Sequence, residues 1–554
     1  MSVEVPAVYN NGYTGKLTAQ QCDKILSIKQ KTHTPELDHS IFVFPYEMII
    51  QSLETGKSIR TICKEENIDW TQYIATLRPY QTVGTEFLLN SYRAMIGDSV
   101  GLGKTAEIAA TLNILKQQGL LTRFIIAVET SALMQTQIEL MKFTGMRIIT
   151  MPSESPKLKK VIDNTDWSKV DGIVIKHCTI KSNPFNIWLA QNLDLQTRKS
   201  KLFNIFILDE SSIIKNQETQ MYQYCVNISN MMDRTYMMNA TAFEKHILDI
   251  YYQFNILDEQ LLPKESFIKK NFCTYARKSF WKTQKTPGVG CGYKRVQQYT
   301  FDLSGYKNQN IFKESLKYVY FGRSLKDVGM SVDHVYKIYT VQPTPTQTQL
   351  ISAGFHSNEV LNCPTILDNE QLQKADYKPL PLDRKNNPKL DRLCELAETE
   401  LDGISFMVYC FHIAAQYKIK EELEKIGRKV VIINGEDPKG KDRDMERLDR
   451  MQKFNSGFYD VIITNMQKSL NLYGAEAMVL YSNTATVGRL EQIRGRIDRH
   501  VDDKVRTYIM LLYEGTSEYE LMTQTAKARG QASRDLILDS ETAIDYFMSA
   551  MEDS

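Results

Sequence analysis

Residues 97–105 read GDSVGLGKT and decide how the rest of the chain is interpreted. A short apolar run precedes them, and a stretch with apolar residues at helical spacing follows. A glycine loop between a strand and a helix lets backbone N–H groups surround a phosphate, while Lys104 supplies positive charge and Thr105 offers a hydroxyl to Mg²⁺. Asp98 stands where the strict phosphate-loop pattern has its first glycine. We predict a nucleotide-binding loop in preference to a structural turn.

The composition is that of a globular protein with more than one domain. The chain has 554 residues, of which 42% are hydrophobic and 24% charged, and its net charge is only +2. A nucleic-acid contact would therefore need a local basic surface. The nine cysteines include no Cys-x-x-Cys pair, which favours core residues over a zinc site. With no apolar run of about 18 residues and no signal peptide, we expect a soluble, cytoplasmic protein with no membrane partner.

Two carboxylates follow an apolar strand at residues 203–216, FNIFILDESSIIKN. Adjacent acidic residues are often a solvated turn, but this chain already carries a phosphate loop. Asp209 is therefore predicted to hold Mg²⁺ through water, and Glu210 to orient and deprotonate the water that attacks a γ-phosphate.

Further polar residues fall beside predicted strands of a parallel sheet. Arg78 and Gln81 lie just upstream of the loop, where a carboxamide can read an adenine edge. The runs 124–128 and 171–179 are buried-strand candidates, and the strand at 235–242 ends in short polar residues beginning at Asn239.

Five more strand candidates at ISFMVYCF, KVVIIN, DVIIT, AMVLYS and VRTYIMLLY predict a second parallel sheet. Residues 489–503, RLEQIRGRIDRHVDD, place Gln492, Gly495, Arg496 and Arg499 in the pattern Q-x-x-G-R-x-x-R. A basic helix face is the plain interpretation. Together with the loop and carboxylates, arginines that reach the γ-phosphate are the better one.

Two segments flank or separate these sheets. Residues 1–76 carry amphipathic helical patterns, either a helix-turn-helix with Lys57, Arg60 and Lys64 facing DNA phosphate, or a helical cap, which we favour. Residues 263–299 hold nine Lys or Arg against one Glu, interleaved with aromatics. That mixture suits DNA backbone contact with base stacking, or equally a solvated basic loop over a small aromatic core.

In this order, the motifs resemble those of superfamily 2 helicases, and within them the Swi/Snf-type ATPases. LRPYQ resembles the adenine motif, DSVGLGKT motif I, DESSIIKN motif II and NATA motif III. RSLKDV at 323–328 is similar to the hinge before the second lobe, and NPKLDRL at 387–393 to the opening of that lobe. The resemblance covers roughly residues 77–530.

The resemblance implies an α/β fold of two tandem RecA-like parallel-sheet lobes, with ATP and Mg²⁺ between them. The implied domains are an N-terminal accessory region (1–76), lobe 1 (77–262), a basic and aromatic insertion with linker (263–385), lobe 2 (386–530) and a tail (531–554). The residues predicted to bind nucleotide are Arg78, Gln81, Ser99, Gly101, Leu102, Gly103, Lys104, Thr105 and Gln492. The predicted catalytic residues are Lys104, Asp209, Glu210, Arg496 and Arg499, and the metal ligands are Thr105 and Asp209.

The implied activity is that of a DNA-dependent ATPase that translocates on duplex or branched DNA, held mainly through its backbone. Fork remodelling, branch migration and recombination or repair are the expected settings, and the compact motor predicts a phage or prokaryotic origin. The chain departs from the family's motif II at Ser211-Ser212 and from motif III at Asn239-Ala240. In the family, these motifs are thought to couple ATP hydrolysis to movement. These departures keep open an ATP-gated remodeller of a protein such as RNA polymerase, bound through 1–76 or 263–385. An RNA helicase is a third alternative.

Overall fold

Two parallel β-sheets organise the computed structural model, one of seven strands and one of six. The predicted fold class, two tandem RecA-like α/β lobes, is confirmed. The residues that the structure describes are 40–239, 247–257, 264–285, 293–308, 316, 319–323, 326–329, 334–367, 369–374, 376–438, 443–466, 470–482, 490, 493–497 and 505–520.

The N-terminal part of the described chain is a cap on the first lobe. Its elements are β1 (Ser40–Phe42), α1 (Tyr46–Thr55), α2 (Ile59–Glu65), a 3₁₀ turn (Trp70–Tyr73) and β2 (Ile74–Thr76). The strands β1 and β2 pair antiparallel. Phe42, Ile49 and Ile59 are buried in the same core as the helices of lobe 1. The favoured interpretation, a packed cap, agrees with this arrangement.

In the less favoured helix-turn-helix interpretation Arg60 would face DNA phosphate, and the structure contradicts this. Its Nε donates to the Thr144 carbonyl at 3.1 Å, and its Nη2 donates to Asn113 Oδ1 at 3.1 Å. The guanidinium also lies over the Phe42 ring, 4.8 Å from the centroid. The reason is that α2 turns this residue towards lobe 1, whose helix ends offer free acceptors, while Lys57 and Lys64 remain exposed.

Lobe 1 alternates strands and helices. Its elements are α3 (Pro79–Asn90), β3 (Arg93–Ile96), α4 (Lys104–Gln117), β4 (Phe124–Val128), α5 (Leu133–Thr144), β5 (Ile148–Met151), α6 (Ser155–Asn164), β6 (Gly172–Lys176), α7 (His177–Ile180), α8 (Asn183–Gln191), β7 (Ile205–Asp209), α9 (Gln220–Met231), β8 (Arg234–Met238) and α10 (Ile247–Leu257). Short 3₁₀ helices lie at Thr130–Ala132, Trp167–Lys169 and Ser211–Ile214. With β11 (Tyr320–Phe321) at one edge, the strand order is β11-β3-β8-β7-β4-β6-β5, and every neighbouring pair is parallel. β4 is buried along its whole length, which explains its uninterrupted apolar sequence.

A long β-hairpin leaves lobe 1 after α11 (Glu265–Phe272). Its strands are β9 (Cys273–Lys285) and β10 (Tyr293–Tyr306), which pair only with each other in the described chain. At the rise of a β-strand, 13 residues extend about 40 Å. The base of the hairpin is fixed to lobe 1, because Ile268, Phe272 and Cys273 belong to its core.

The segment predicted as an insertion contributes to both sheets. β11 (Tyr320–Phe321) adds a parallel strand beside β3, and β12 (Val335–Val341) forms the edge of the second sheet beside β17. The expected limits at 262 and 386 therefore do not coincide with the limits of the sheets. The reason is that β11 has only two residues and that Lys337 and Thr340 interrupt the apolar residues of β12, so neither resembles a buried parallel strand.

Lobe 2 has the same alternation of strands and helices. Its elements after β12 are α12 (Pro345–Ser352), α13 (Ser357–Asn362), α14 (Asn369–Lys374), α15 (Pro388–Glu398), β13 (Phe406–Tyr409), α16 (Ile413–Lys425), β14 (Val430–Ile433), α17 (Arg443–Asn455), β15 (Val461–Thr464), β16 (Ala477–Leu480), β17 (Thr507–Tyr513) and α18 (Ser517–Glu520). The strand order is β12-β17-β16-β13-β15-β14, again parallel throughout. All five strands predicted for this lobe are present. Among the described residues, no helix combines the length and apolar character needed to cross a membrane.

A buried lysine ties the opening helix of lobe 2 to the end of its sheet. Lys389, with 0% exposure, donates from Nζ to Glu518 Oε1 at 2.8 Å and to Asn362 Oδ1 at 2.9 Å. It also donates to the Tyr481 carbonyl at 3.1 Å and lies 4.9 Å from the centre of the Tyr513 ring. A charge out of water needs such partners, so α13, α15 and α18 are held around one ammonium group.

We predict that Lys389→Ala lowers the free energy of unfolding of lobe 2 by about 3–5 kcal/mol, because the Glu518 carboxylate loses its buried partner. Urea denaturation followed by far-UV circular dichroism measures the loss of free energy of unfolding. Lys418→Ala, which breaks an ion pair with Glu421 between side chains that are 44% and 52% exposed, is the control. It should cost no more than about 1 kcal/mol. Equal losses in the two variants would contradict the role given to Lys389.

Candidate nucleotide-binding site

The predicted functional residues of lobe 1 meet at one edge of its sheet. β3, β8 and β7 are neighbours and run parallel, so the loop after β3, Asn239 after β8 and Asp209 at the end of β7 lie side by side. The carboxyl edge of a parallel sheet is where such folds bind ligands. The sheet order thus brings together motifs about a hundred residues apart.

The loop has the backbone that a phosphate cradle requires. Gly101 and Gly103 have φ values of +95° and +86°, a region that side-chain-bearing residues rarely adopt. Lys104 and Thr105 are the first two residues of α4. The Lys104 Nζ lies over the loop, where it donates to the Asp98 carbonyl at 2.7 Å and to the Ser99 carbonyl at 3.4 Å.

The charges around Lys104 link the loop to the carboxylates of β7. Burial lowers the pKa of Lys104, and the negative charges of Asp98, Asp209 and Glu210 oppose that shift. The ammonium group therefore lies within electrostatic reach of both predicted catalytic carboxylates. A cation and two carboxylates around a helix N-terminus form the donor and acceptor set that a triphosphate with Mg²⁺ requires.

Glu210 has an unusual backbone. Its φ is +53°, in the left-handed region that is uncommon for a non-glycine residue. Its N–H donates to Asp209 Oδ1 at 3.0 Å, and the Asp209 carbonyl lies 2.9 Å from His177 Nε2. This conformation turns the chain sharply after β7, so that two successive carboxylates are presented at the sheet edge. Strain of this kind is concentrated at functional sites.

Gln253 on α10 joins motif II to motif III. Ser211 Oγ donates to Gln253 Oε1 at 2.6 Å, and Asn239 Nδ2 donates to the same oxygen at 3.4 Å. All three side chains have 0% exposure. The serine and asparagine that depart from the family motifs are thus partners of one buried amide. Sequence reasoning missed Gln253, because a single glutamine in an amphipathic helix gives no signal. Residues 240 and 241 of NATA lie outside the described residues.

The adenine-motif residues contact the phosphate loop itself. Gln81 Nε2 donates to the Leu102 carbonyl at 2.9 Å, and its Oε1 accepts from the Arg78 N–H at 3.1 Å. Tyr80 Oη also donates to the Leu102 carbonyl, at 3.2 Å. Leu102 is fully buried, whereas Arg78 is exposed at the start of α3. The structure therefore brings Gln81 to the loop, and adenine recognition by its amide stays a prediction.

Asp98, which stands at the first glycine position of the phosphate-loop pattern, has a structural partner of its own. Its side chain is fully buried and forms an ion pair with Arg323, which also pairs with Glu107 of α4. The departure from the strict phosphate-loop pattern is explained by this partner, which lies 225 residues away in sequence.

Lobe 2 contacts the loop through the segment predicted to carry arginine fingers. A Cβ at Gly495 would lie 2.2 Å from Val100 Cγ1, so only a glycine permits this approach. The neighbouring Arg496 is 7% exposed and donates to the Leu470 carbonyl at 3.2 Å. Gln492 and Arg499 lie outside the described residues. The structure thus brings the 493–497 segment to the phosphate loop, and a contact of Arg496 with a γ-phosphate stays a prediction.

A second contact between the lobes lies beside this one. A small cavity is lined by Met134, Gln135 and Ile138 of lobe 1 and by residues of lobe 2 that include Leu448 and Met451. Leu448 packs against the cores of both lobes. The lobes therefore also meet through a mainly apolar contact that includes the polar side chains of Gln135 and Arg447.

The chain is similar in sequence to known helicases. The chain is 23% identical over 180 residues to the SWI/SNF-related matrix-associated actin-dependent regulator of chromatin subfamily A containing DEAD/H box 1 homolog of Caenorhabditis elegans, a match that covers 32% of this chain and 17% of the relative. It is 26% identical over 161 residues to the ATP-dependent helicase fft1 of Schizosaccharomyces pombe, covering 28% of this chain and 16% of the relative. No family model matches the chain.

Among solved structures, the Sulfolobus solfataricus SWI2/SNF2 ATPase core in complex with dsDNA aligns with 84% of this chain and 97% of its own length, at 16% identity and a TM-score of 0.38. The sequence matches to the two relatives confirm the predicted resemblance to Swi2/Snf2-type superfamily 2 helicases. The matched stretches span less than a fifth of either relative. Nothing among these matches tests the predicted phage or prokaryotic origin.

We predict that Gln253→Leu destabilises lobe 1 by about 1–3 kcal/mol, because it leaves the buried Ser211 and Asn239 side chains without their acceptor. Thermal unfolding measures this effect. The control is Gln223→Leu on the exposed face of α9, which should leave the melting temperature nearly unchanged. The role of Gln253 would be refuted if both variants melted at the wild-type temperature.

Proposed function

We propose that this chain is an ATP-dependent DNA translocase or helicase that acts on duplex or branched DNA. The observation that carries the proposal is the convergence of a phosphate loop, two carboxylates and a segment of the second lobe at one cleft. The similarity to helicases supports it. Fork remodelling, branch migration and recombination or repair intermediates are the substrates that fit such a motor.

In this proposal, the loop and the N-terminus of α4 bind the phosphates of ATP. The N–H groups around Gly101 and Gly103 donate to phosphate oxygens, and Lys104 neutralises the terminal phosphates. Ser99 and Leu102 complete the loop.

Thr105 and Asp209 are the residues that would hold Mg²⁺. When bound, the ion would neutralise charge that develops on the transferred phosphoryl group. Glu210 accepts the proton of the attacking water, and its left-handed backbone fixes its direction relative to Asp209. Arg496 and Arg499 would add positive charge from lobe 2 when the cleft closes, which explains why hydrolysis needs both lobes.

The hairpin β9–β10 is proposed to be the DNA-contacting arm of lobe 1. It extends about 40 Å from a base fixed in the core, and its two strands carry six of the nine basic residues of the segment 263–299. A two-stranded ribbon is marginally stable alone, so DNA bound along the hairpin would also stabilise its fold.

The test of the function is steady-state ATP hydrolysis by wild type and Glu210→Gln, each without nucleic acid and with duplex DNA, single-stranded DNA, forked DNA or RNA. We expect strong stimulation by duplex or forked DNA. Glu210→Gln should lower kcat by about 10²–10⁴ because general-base catalysis is lost, while its fold and its ATP affinity persist.

Other outcomes of that experiment discriminate between the alternatives. Turnover that is indifferent to every nucleic acid would refute the DNA proposal and favour the remodelling of a protein partner. Stimulation by RNA alone would favour the RNA helicase. Full activity of Glu210→Gln would refute the assignment of the general base.

The DNA-arm prediction is tested by shortening the hairpin. Replacing residues 280–298 with Asn-Gly joins the paired Ser279 and Tyr299 by a two-residue turn and leaves both large sheets intact. We expect the basal hydrolysis of ATP to be unchanged. The affinity for forked DNA, measured by fluorescence anisotropy, should fall at least about tenfold at physiological salt, because four basic residues are lost.

A control variant that removes three positive charges elsewhere tests whether a general loss of positive charge has the same effect. The triple variant Lys157→Gln, Lys159→Gln, Lys160→Gln neutralises exposed lysines on α6, away from the hairpin. Its DNA affinity should stay near that of wild type. Equal losses in the shortened and the triple variant would refute a specific role for the hairpin.

A further inference from the structure

The phosphate loop is held by a residue that lies beyond the hairpin in sequence. The segment 319–323 runs along β3 and continues beside the loop. The Gly97 N–H donates to the Phe321 carbonyl at 2.8 Å, and the Ser99 N–H donates to the Arg323 carbonyl at 2.9 Å. In return, the Arg323 N–H donates to Asp98 Oδ1 at 3.0 Å. The first three residues of the loop are therefore paired as if the sheet continued.

Close packing enforces this pairing. A Cβ on Gly97 would lie 2.1 Å from Tyr320 Oη, so the loop and β11 can approach only because Gly97 has no side chain. The loop cannot move away from the 319–323 segment without breaking both this packing and the hydrogen bonds.

The guanidinium of Arg323 adds a second set of contacts. Its Nε lies 3.1 Å from Asp98 Oδ1 and 3.2 Å from Oδ2. Its Nη2 donates to Asp98 Oδ2 and, at 2.6 Å, to Glu107 Oε1. Its Nη1 donates to the Tyr80 carbonyl. One planar group thus joins the loop, α4 and the adenine motif.

The environment makes these contacts strong and specific. Asp98 and Glu107 have 0% exposure, and Arg323 has 8%. The Phe321 ring covers one region of the guanidinium, with 4.6 Å from its centroid to the Arg323 Cζ. Burial and the Asp98 charge raise the pKa of Glu107 to about 8, and the positive charges of Arg323 and Lys104 oppose that shift. Only a rigid fork with several donors can serve three acceptors at once.

We propose that Arg323 is a positioning residue, which holds the phosphate loop in its nucleotide-binding conformation through Asp98. This inference rests on the proposed function, since it presupposes that ATP binds this loop. Arg323 does not touch the substrate. It acts through Asp98, whose carbonyl accepts the 2.7 Å hydrogen bond of Lys104, so that Arg323, Asp98 and the phosphate-binding ammonium group form one chain of contacts.

The experiment measures the Kd for Mg·ATP by calorimetry, together with KM, kcat and the melting temperature, for Arg323→Gln and Arg323→Lys. For Arg323→Gln we expect kcat/KM to fall by about 10²-fold, because a displaced loop misplaces Lys104. Most of that loss should appear in Kd and KM, because Asp209 and Glu210 stand on another strand. Arg323→Lys should recover the melting temperature more than the affinity, since a point charge neutralises the carboxylates without reproducing the fork.

Arg234→Gln is the matched control. Arg234 is 7% exposed, and its Nη1 donates to the Leu89 and Ser91 carbonyls at 3.1 and 2.9 Å. It begins β8 and therefore lies at the opposite edge of the same sheet. This variant should lose stability and keep the wild-type Kd for Mg·ATP. If Arg323→Gln also kept the wild-type Kd, or if Arg323→Lys restored affinity and stability equally, the proposal would be overturned.

A double-mutant cycle tests the route through Asp98. If Arg323 acts through that carboxylate, adding Arg323→Gln to Asp98→Asn should lower kcat/KM by much less than it does in wild type. Independent, multiplicative losses would overturn the route. If the wild-type protein bound no ATP at all, the proposed function would fail and this inference with it. Normal wild-type binding with unaffected variants would refute the inference alone.

Discussion

A buried carboxylate at the start of the phosphate loop is the constraint on which the first lobe depends. Asp98 has no access to water, and an isolated charge in that position is too costly to persist. The fold meets this cost with Arg323, brought back from beyond the hairpin, and with the backbone of the segment that carries it. The chain that folds into the hairpin must therefore return to the edge of the first sheet. This requirement fixes β11 beside β3 and gives the sheet its seventh strand.

The same principle, a charge that organises its surroundings, applies in the second lobe. Lys389 lies at the start of α15, and its partners come from the helix before it, the sheet behind it and the helix after the last strand. Both lobes thus use one buried cation to join segments that are distant in sequence. Buried ion pairs contribute little net stability compared with apolar residues, but they fix which segments meet.

The parts of the fold that are repeated and apolar could be predicted from the sequence. The runs FIIAV and KVVIIN are strands because each buries both faces, and the spacing between such runs gives the helices that cover them. The phosphate loop and Asp209 could be placed at the same edge because parallel strands share one. Their roles in binding and catalysis remain predictions. Strands without a continuous apolar run, such as β11 and β12, gave no such signal.

The residues that could not be predicted are those whose importance depends on a distant partner. Arg323 was recognised only as part of a hinge-like motif, and its contact with Asp98 spans 225 positions. Gln253 has no motif, yet it joins Ser211 to Asn239. The contacts of Arg60 with lobe 1 could not be predicted because a basic residue in a short helix is indistinguishable in sequence from one on the surface. In each case the missing information was which polar groups share a buried space.

The positions of β11 and β12 limit how the two lobes move. β11 ends at Phe321 on the edge of the first sheet, and β12 begins at Val335 on the edge of the second. The 13 intervening residues, fully extended, span at most about 45 Å. This connection keeps each lobe at a high effective concentration for the other throughout a cycle of cleft opening and closing. Reassociation is then a rapid intramolecular event, and its frequency is set by the geometry of the tether and is independent of the protein concentration.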